Sequence, residues 1–441
     1  VTDRHPQNVS DERFVFLALD FCLSVGEILA SNGAGAAQVS DTMYDLAGHL
    51  GLTCVVDVTF VSLSISHQAD PTKPPRVQIR QVKQRDLDYQ DLTRVDYLVH
   101  LVMTDQIDLA EARTRLTRLM SSQQLPPFGF VALSWGLMGM AVALELGGTG
   151  AVLPIAFLAA VCLDLTQTAL ARRGFHIFYR QIVGGAIATV VAAVAAARID
   201  GLDPSLVVTA NIIILLAGVS YMGAFHDALT GYYITAGARL LEATLATGGI
   251  IAGVSLGLSV ANWIGVDIRS FDPGRTFLES PGAAGLGAAL AGVGFAMASG
   301  APRRALLPIA AMAGVAMGVF QVVTSFGLDR PWASGIAAVM VGLMTPTMHR
   351  WVGVPGMVLA VSAAVPLLPG LLIFRGLSLL ADPIRSSQGI LAIITAGSVA
   401  LALAAGVLAG DFVAHPVDRG ARMWRLRRGP RTWGPRRRYV G

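Results

Sequence analysis

Ten apolar stretches of about helix-spanning length follow one another between residues 128 and 414, at about 129–147, 151–170, 181–197, 205–226, 238–264, 283–300, 305–325, 331–348, 354–374 and 388–412. A helix needs roughly 20 apolar residues to cross the hydrocarbon of a bilayer. Backbone groups in hydrocarbon must be satisfied internally, so such a series restricts the chain to a bundle of membrane helices. Only 14% of the 441 residues are charged, against about 25% in an ordinary soluble protein. That deficit falls on the apolar region, because residues 1–125 have ordinary soluble composition. The Pro pair in Gln124-Leu125-Pro126-Pro127 stops a helix and marks the boundary.

Before that boundary the sequence predicts a small α+β domain over residues 1–127. Apolar helices are expected at 14–29 and 37–50, the second with Val39, Met43, Leu46 and Leu50 on one face. Residues 53–66 alternate like a strand, with a change of phase between Phe60 and Val61 that suggests a bulge. Residues 76–83 read as its antiparallel partner across a Pro-rich turn, and helices follow at about 91–103 and 108–122. Glu27 reads as an exposed or paired carboxylate. The turn from Gly33 to Gly35 follows a helix, which argues against a nucleotide-binding loop. His49, His67 and His100 stand on different elements, and Cys22, Cys54 and Cys162 show no CxxC spacing. No metal site, cofactor or disulfide framework is expected, and no enzymatic constellation is visible.

Residues 1–12 are polar and lack the pattern of a cleavable signal, so the N-terminal domain is expected in the cytoplasm. From Arg419 to Arg438 there are nine arginines and no acid. Placed after a span, this basic tail (415–441) suits anionic headgroups better than nucleic acid. The loop arginines are nearly balanced between the two sides, so the tail decides the orientation: a multi-pass plasma-membrane protein with both termini cytoplasmic.

A weak internal repeat divides the spans. Leu215-Leu216-Ala217-Gly218 in span four matches Leu367-Leu368-Pro369-Gly370 in span nine, and Pro154 and Pro308 open spans two and seven at nearly the same separation. Each half, 128–264 and 265–414, then holds five spans. Five is odd, so the expected fold is two inverted five-helix repeats. In span six, small residues at four-residue spacing (Gly287 with Ala291, Ala288 with Gly292) predict a closely packed, buried helix. Gly and Pro inside spans four and nine loosen the helical ladder. Freed backbone groups survive in a membrane only where they face protein or a wet cavity. Matched breaks in both halves therefore suggest a polar binding site.

Ionisable groups inside a span are costly and become candidates by default. Asp164 in span two suits a proton- or solute-coupled carboxylate, or else a structural hydrogen bond. His226-Asp227, followed by Arg239 and Glu242 three apart on one face, could form a cytoplasmic gate or a plain interfacial salt bridge. Asn211, Gln321 and Thr324 could line a path or join helices. Arg375 sits at the outer end of span nine and Glu145 near the outer end of span one, where Glu145 is expected to be solvated.

The chain resembles the threonine/serine exporter family over most of residues 12–412. The resemblance rests on Gly26-Glu27, Gly33-Ala34, Gln38-Val39, Met43 and Asp57-Val58-Thr59-Phe60-Val61-Ser62 in the soluble part. In the membrane it rests on Gly218, Asp227, Gly231, Gly237, Arg239 and Glu242, and on Pro366-Leu367-Leu368-Pro369-Gly370 with Arg375-Gly376. Ala217 stands where the family has proline, which implies a softer break in span four. The resemblance implies export of threonine and serine driven by the proton gradient. A related branch exports dicarboxylates such as succinate, which is the alternative. On this reading the solute binds at Asn211, Gly218, Pro366, Pro369 and Gly370. Asp164 and Asp227 take protons, and His226, Arg239, Glu242 and Arg375 gate. A membrane-bound sensor or enzyme working through the soluble domain is a third reading. The oligomeric state, a homo-oligomer included, is left open.

Overall fold

The computed structural model describes residues 12–427 except 70, 71, 73, 83–86, 122–127, 200, 216–217, 264–280 and 381–385; side chains 128, 378, 380 and 415–427 are likewise undescribed. The Pro-pair boundary at 124–127, Ala217 and the end of the basic tail lie outside the described residues.

The phase change at Phe60 is a turn between two strands, not a bulge in one. Strands β1 (Cys54–Val58) and β2 (Ser62–His67) pair antiparallel, with Val58 opposite Leu63, and β3 (Arg76–Gln81) pairs with the other edge of β2. Thr59 closes the turn: its backbone N–H donates to Ser62 O at 2.9 Å, and its hydroxyl lies 2.9 Å from the Ser62 hydroxyl. Helices α1 (Glu12–Ser31), α2 (Ala36–His49), α3 (Tyr89–Met103) and α4 (Leu109–Ser121) complete this N-terminal unit.

Helix α1 is long and apolar enough to cross a membrane, yet its apolar face is covered by the unit's own elements. Leu19, Phe21, Cys22 and Leu23 are fully buried, in the same core as Met43 and Leu46 of α2 and Leu63 and Ile65 of β2. Each such side chain contributes about 1.5–3 kcal/mol by leaving water. Its other flank carries an ion network in which Arg80 bridges Asp20 at 2.7 Å and Glu27 at 2.9 Å, and Arg113 reaches Asp20 at 2.8 Å. Glu27 is thus a paired carboxylate. Burial pushes the Cys22 thiol up to about 12.

The remaining helices are α5 (Phe128–Glu145), α6 (Val152–Arg172), α7 (Ile177–Ala196), α8 (Pro204–Leu215), α9 (Gly218–Leu229), α10 (Tyr233–Trp263), α11 (Pro281–Ala298), α12 (Arg303–Ser325), α13 (Arg330–Val352), α14 (Gly356–Ala364), a 3-10 turn at Val365–Leu367, α15 (Gly370–Leu380) and α16 (Ser386–Arg427). Among them α6, α7, α10, α11, α12 and α16 are each long and apolar enough to span. The pair α8 and α9, and the pair α14 and α15, qualify as bent units. The chain is a mostly helical, multi-pass membrane protein. Helix α16 continues to Arg427, so the tail expected from residue 415 begins as helix.

Packing within α5–α10 has a counterpart within α11–α16. Helix α7 packs on α10 as α13 packs on α16, α5 on α6 as α11 on α12, α6 on α8 as α12 on α14, and α9 on α10 as α15 on α16. Glycine permits the closest of these contacts. A Cβ on Gly253 would strike the Ile182 carbonyl across α7–α10, and one on Gly410 the Val339 carbonyl across α13–α16. Helix α11 is buried along Ala284, Gly287, Ala288, Ala291 and Gly292, as its small-residue pattern predicts, and it packs on α5 as well as α12.

Candidate functional site: two chambers and the breaks between them

The chain bends by 43° between α8 and α9 and by 48° between α14 and α15. In the second bend two prolines remove donors, and Leu368 takes an extended conformation between the 3-10 turn and α15. In the first, the Leu215 carbonyl accepts a hydrogen bond at 3.0 Å from Gln181 Nε2 of α7. That donor satisfies a backbone group freed at the end of α8, the accommodation a broken membrane helix requires. The two bends meet. A Cβ on Gly218, the first residue of α9, would lie 3.1 Å from Leu368 Cβ.

A chamber of about 330 Å³ opens on the side of the N-terminal unit. Its volume is within the range of small-molecule pockets, about 300–1,000 Å³. Val219 and Ser220 of α9 line its inner part, Ser31, Gly35 and Gln38 its cover, and His226, Arg239 and Glu242 its charged wall. Arg239 places one guanidinium nitrogen 3.3 Å from Asp227 Oδ2 as a charge contact, and donates another to the Ala34 carbonyl at 3.0 Å. Asp227 is fully buried, and its Oδ1 accepts the Ala36 backbone N–H at 2.8 Å. Gly35, the N-cap of α2, offers no side-chain cap, so Asp227 supplies one from α9. Gly35 fits because His226 is beside it: a Cβ there would come within 3.2 Å of Nδ1. The glycine turn therefore docks the N-terminal unit onto α9 and α10 and is not a phosphate cradle.

The same unit is held at a second place. Asp88 caps α3, accepting the Gln90 and Asp91 N–H groups, and the Tyr89 N–H donates to the Ser299 carbonyl at 2.8 Å. The buried Tyr89 ring stands edge-on to Phe295 of α11. Asp96 of α3, its carboxyl raised by burial, feels the charges of His349 and His100.

A smaller chamber of about 90 Å³ lies at the start of α13, the end away from His349. Its walls carry Pro366, Leu368 and Pro369 from the second break, together with Glu145 and Arg330. Glu145 is half-buried on the wall of this chamber and not on a freely solvated end, a correction to the expectation for the end of span one; α11 packs on that end of α5, with Gly287 against the Glu145 backbone.

Of the other predicted residues, Asn211 is fully buried and donates to the Val207 carbonyl of its own helix at 2.8 Å. Its Oδ1 has no partner among the described residues. Gly370 is buried at the start of α15. Asp164 is half-buried with one buried oxygen that has no partner among the described residues, Arg375 is exposed, and neither lines either of these two chambers. Gln321 keeps a buried nitrogen without a partner among the described residues, and Thr324 bonds to its own helix. Sequence reasoning missed Gln181, Ser220 and Arg330. Gln181 could have been found as the lone amide in an apolar span. Among the described residues no group of three His, Cys, Asp or Glu side chains could hold a metal ion.

A family model for threonine/serine exporters matches residues 20–261, and a second, described as "Threonine/Serine exporter", matches residues 284–413. A Mycobacterium tuberculosis (strain ATCC 25618 / H37Rv) protein named "Probable threonine/serine exporter" is 33% identical over 410 residues, 91% of this chain and 77% of that protein. The Corynebacterium glutamicum "Threonine/serine exporter" is 29% identical over 433 residues, 97% of this chain and 86% of the other. No solved structure matches the chain significantly. The two family models together run from α1 through both bent helix pairs, and the chain belongs to the threonine/serine exporter family.

Proposed function

We propose that this protein exports threonine and serine as a secondary transporter, with solute passing from the larger chamber to the smaller through the contact of the two breaks. The observation that carries this reading is the meeting of Gly218 with Leu368, with a chamber beside each break. Such a junction separates two aqueous spaces by a few side chains, as alternating access requires. The corresponding packing of α5–α10 and α11–α16 supports two inverted five-helix repeats, residues 128–264 and 265–414. With the N-terminal domain (1–127) and the basic tail (415–441) in the cytoplasm of a plasma-membrane protein, the larger chamber is the entry side. The tail would rest on anionic lipid.

A hydroxy amino acid brings an ammonium, a carboxylate and a hydroxyl. The larger chamber offers Glu242, Arg239, and Ser31, Gln38 and Ser220 to these groups. A diacid such as succinate would meet Glu242 without a proton to share, which favours amino acids. Asp227 and Asp164 are the carboxylates assigned to proton coupling, and release of the Asp227–Arg239–Ala36 contact would open the entry. Efflux from proteoliposomes loaded with threonine or succinate, with and without a pH difference, tests this. Threonine efflux that responds to the pH difference is expected. Succinate efflux alone would replace the substrate, and indifference to pH would remove the proton.

A further inference from the structure

The smaller chamber holds two opposite charges that nothing so far has used. Glu145 comes from the end of α5 and Arg330 from the first residue of α13, and both face the space beside Pro366 and Pro369. They are near enough to feel each other's charge. Yet no ion pair closes between them, and neither makes a side-chain hydrogen bond to another described residue. Glu145 is half-buried and open toward the cavity, which is costly at the end of a span unless something completes it, and the exposed Arg330 stands at the cavity's rim. The volume is sufficient for several waters, since about 10–15 Å³ serves for each. The larger chamber has the same charge composition, one arginine and one glutamate, in Arg239 and Glu242.

We propose that the smaller chamber is a second, release-side binding site for a zwitterionic amino acid, in which Glu145 takes the ammonium and Arg330 the carboxylate. Ser334, on the same wall one helical turn beyond Arg330, is placed to meet a side-chain hydroxyl. This rests on the amino-acid reading above and adds to it the residues that hold the solute before it leaves. An arginine takes a carboxylate in a fixed fork, and a glutamate accepts from an ammonium, so the pair selects molecules carrying both groups.

The test is counterflow of labelled threonine into right-side-out membrane vesicles loaded with unlabelled threonine, with the full chain present. Glu145→Gln and Arg330→Gln are each expected to raise the half-saturating threonine concentration by about tenfold. 2,3-Dihydroxybutyrate, which lacks the ammonium, should not compete in the wild type but should compete in Glu145→Gln. The double variant Glu145→Arg with Arg330→Glu separates a binding pair from a structural one. It should keep wild-type protein abundance while counterflow stays low, because the two charges then face the wrong ends of the solute. Wild-type half-saturation in both single variants, or full counterflow in the swapped variant, would overturn the proposal while leaving threonine export standing. A wild type that carries no threonine would remove the amino-acid reading, and this site with it.

Discussion

Leu368 packs against the α-carbon of Gly218, so a side chain added at 218 would begin 3.1 Å from Leu368 Cβ. One residue belongs to the first break and the other to the second, and in the proposed transport cycle their contact is the junction between the chambers. Gly218→Val should therefore overpack the junction at a cost of about 1–3 kcal/mol. Threonine efflux should fall at least tenfold with protein still in the membrane. Adding Leu368→Ala should recover part of the efflux, since it empties the space the valine needs. Two independent, additive losses would mean that the residues do not share a junction.

Asp227 and Arg239 form a buried charge pair that also holds the N-terminal unit through Ala36 and Ala34. Breaking one side of such a pair typically costs about 3–5 kcal/mol. Asp227→Asn keeps an acceptor for the Ala36 N–H but leaves Arg239 without its counter-charge. Amide hydrogen exchange in residues 34–39 should then accelerate in the full protein, and efflux should fall. Asp227→Ala should accelerate exchange further by removing the cap as well. Unchanged exchange in both variants would show that the contact does not hold the unit in place.

Gln181 satisfies the Leu215 carbonyl at the end of α8. Gln181→Leu removes the donor with little change of volume and leaves a buried acceptor unmet, worth about 1–3 kcal/mol. Thermal stability in detergent should fall by that amount, whereas Gln181→Glu, protonated, could still donate. Equal stability of Gln181→Leu and wild type would contradict the role given to this side chain.

The Cys22 thiol, buried in α1, is pushed from an ordinary 9.0 up to about 12 by desolvation. A thiol whose folded pKa is raised stays protonated through neutral pH. Stability from its burial is fully present below pH 9 and is lost as pH climbs toward 12. Maleimide at pH 7.5 should leave Cys22 unmodified in the folded protein, and the melting temperature should decline above pH 9. Cys22→Ala should decline less steeply. Rapid labelling at pH 7.5 would show that α1 is not packed as described.

How much of this was legible in sequence depended on the distance over which the cause acts. The apolar helices are set by local hydropathy, and most of their bounds were readable within about five residues, whereas α16 runs on to Arg427, well past the expected end at 412. The second break was legible because Pro366 and Pro369 remove donors whatever surrounds them. The hairpin of β1 and β2 was misread as one strand because Thr59-Phe60-Val61 contains none of the usual turn residues; the Thr59–Ser62 bonds make the turn instead. The partner of Asp227 was not legible, since the Ala36 N–H comes from 191 positions away and a backbone donor leaves no mark in the sequence. Arg239 and Glu242 could be grouped by helical spacing, while Glu145 and Arg330 belong to different helices and only folding brings them to one chamber.

The most direct test of the account is threonine exchange by the purified full chain in proteoliposomes. Labelled threonine supplied outside should accumulate transiently against trapped unlabelled threonine, and the Gly218→Val variant should abolish that overshoot. Labelled threonine entering wild-type vesicles no faster than protein-free ones would contradict the account, because joined chambers with a movable junction must exchange their solute.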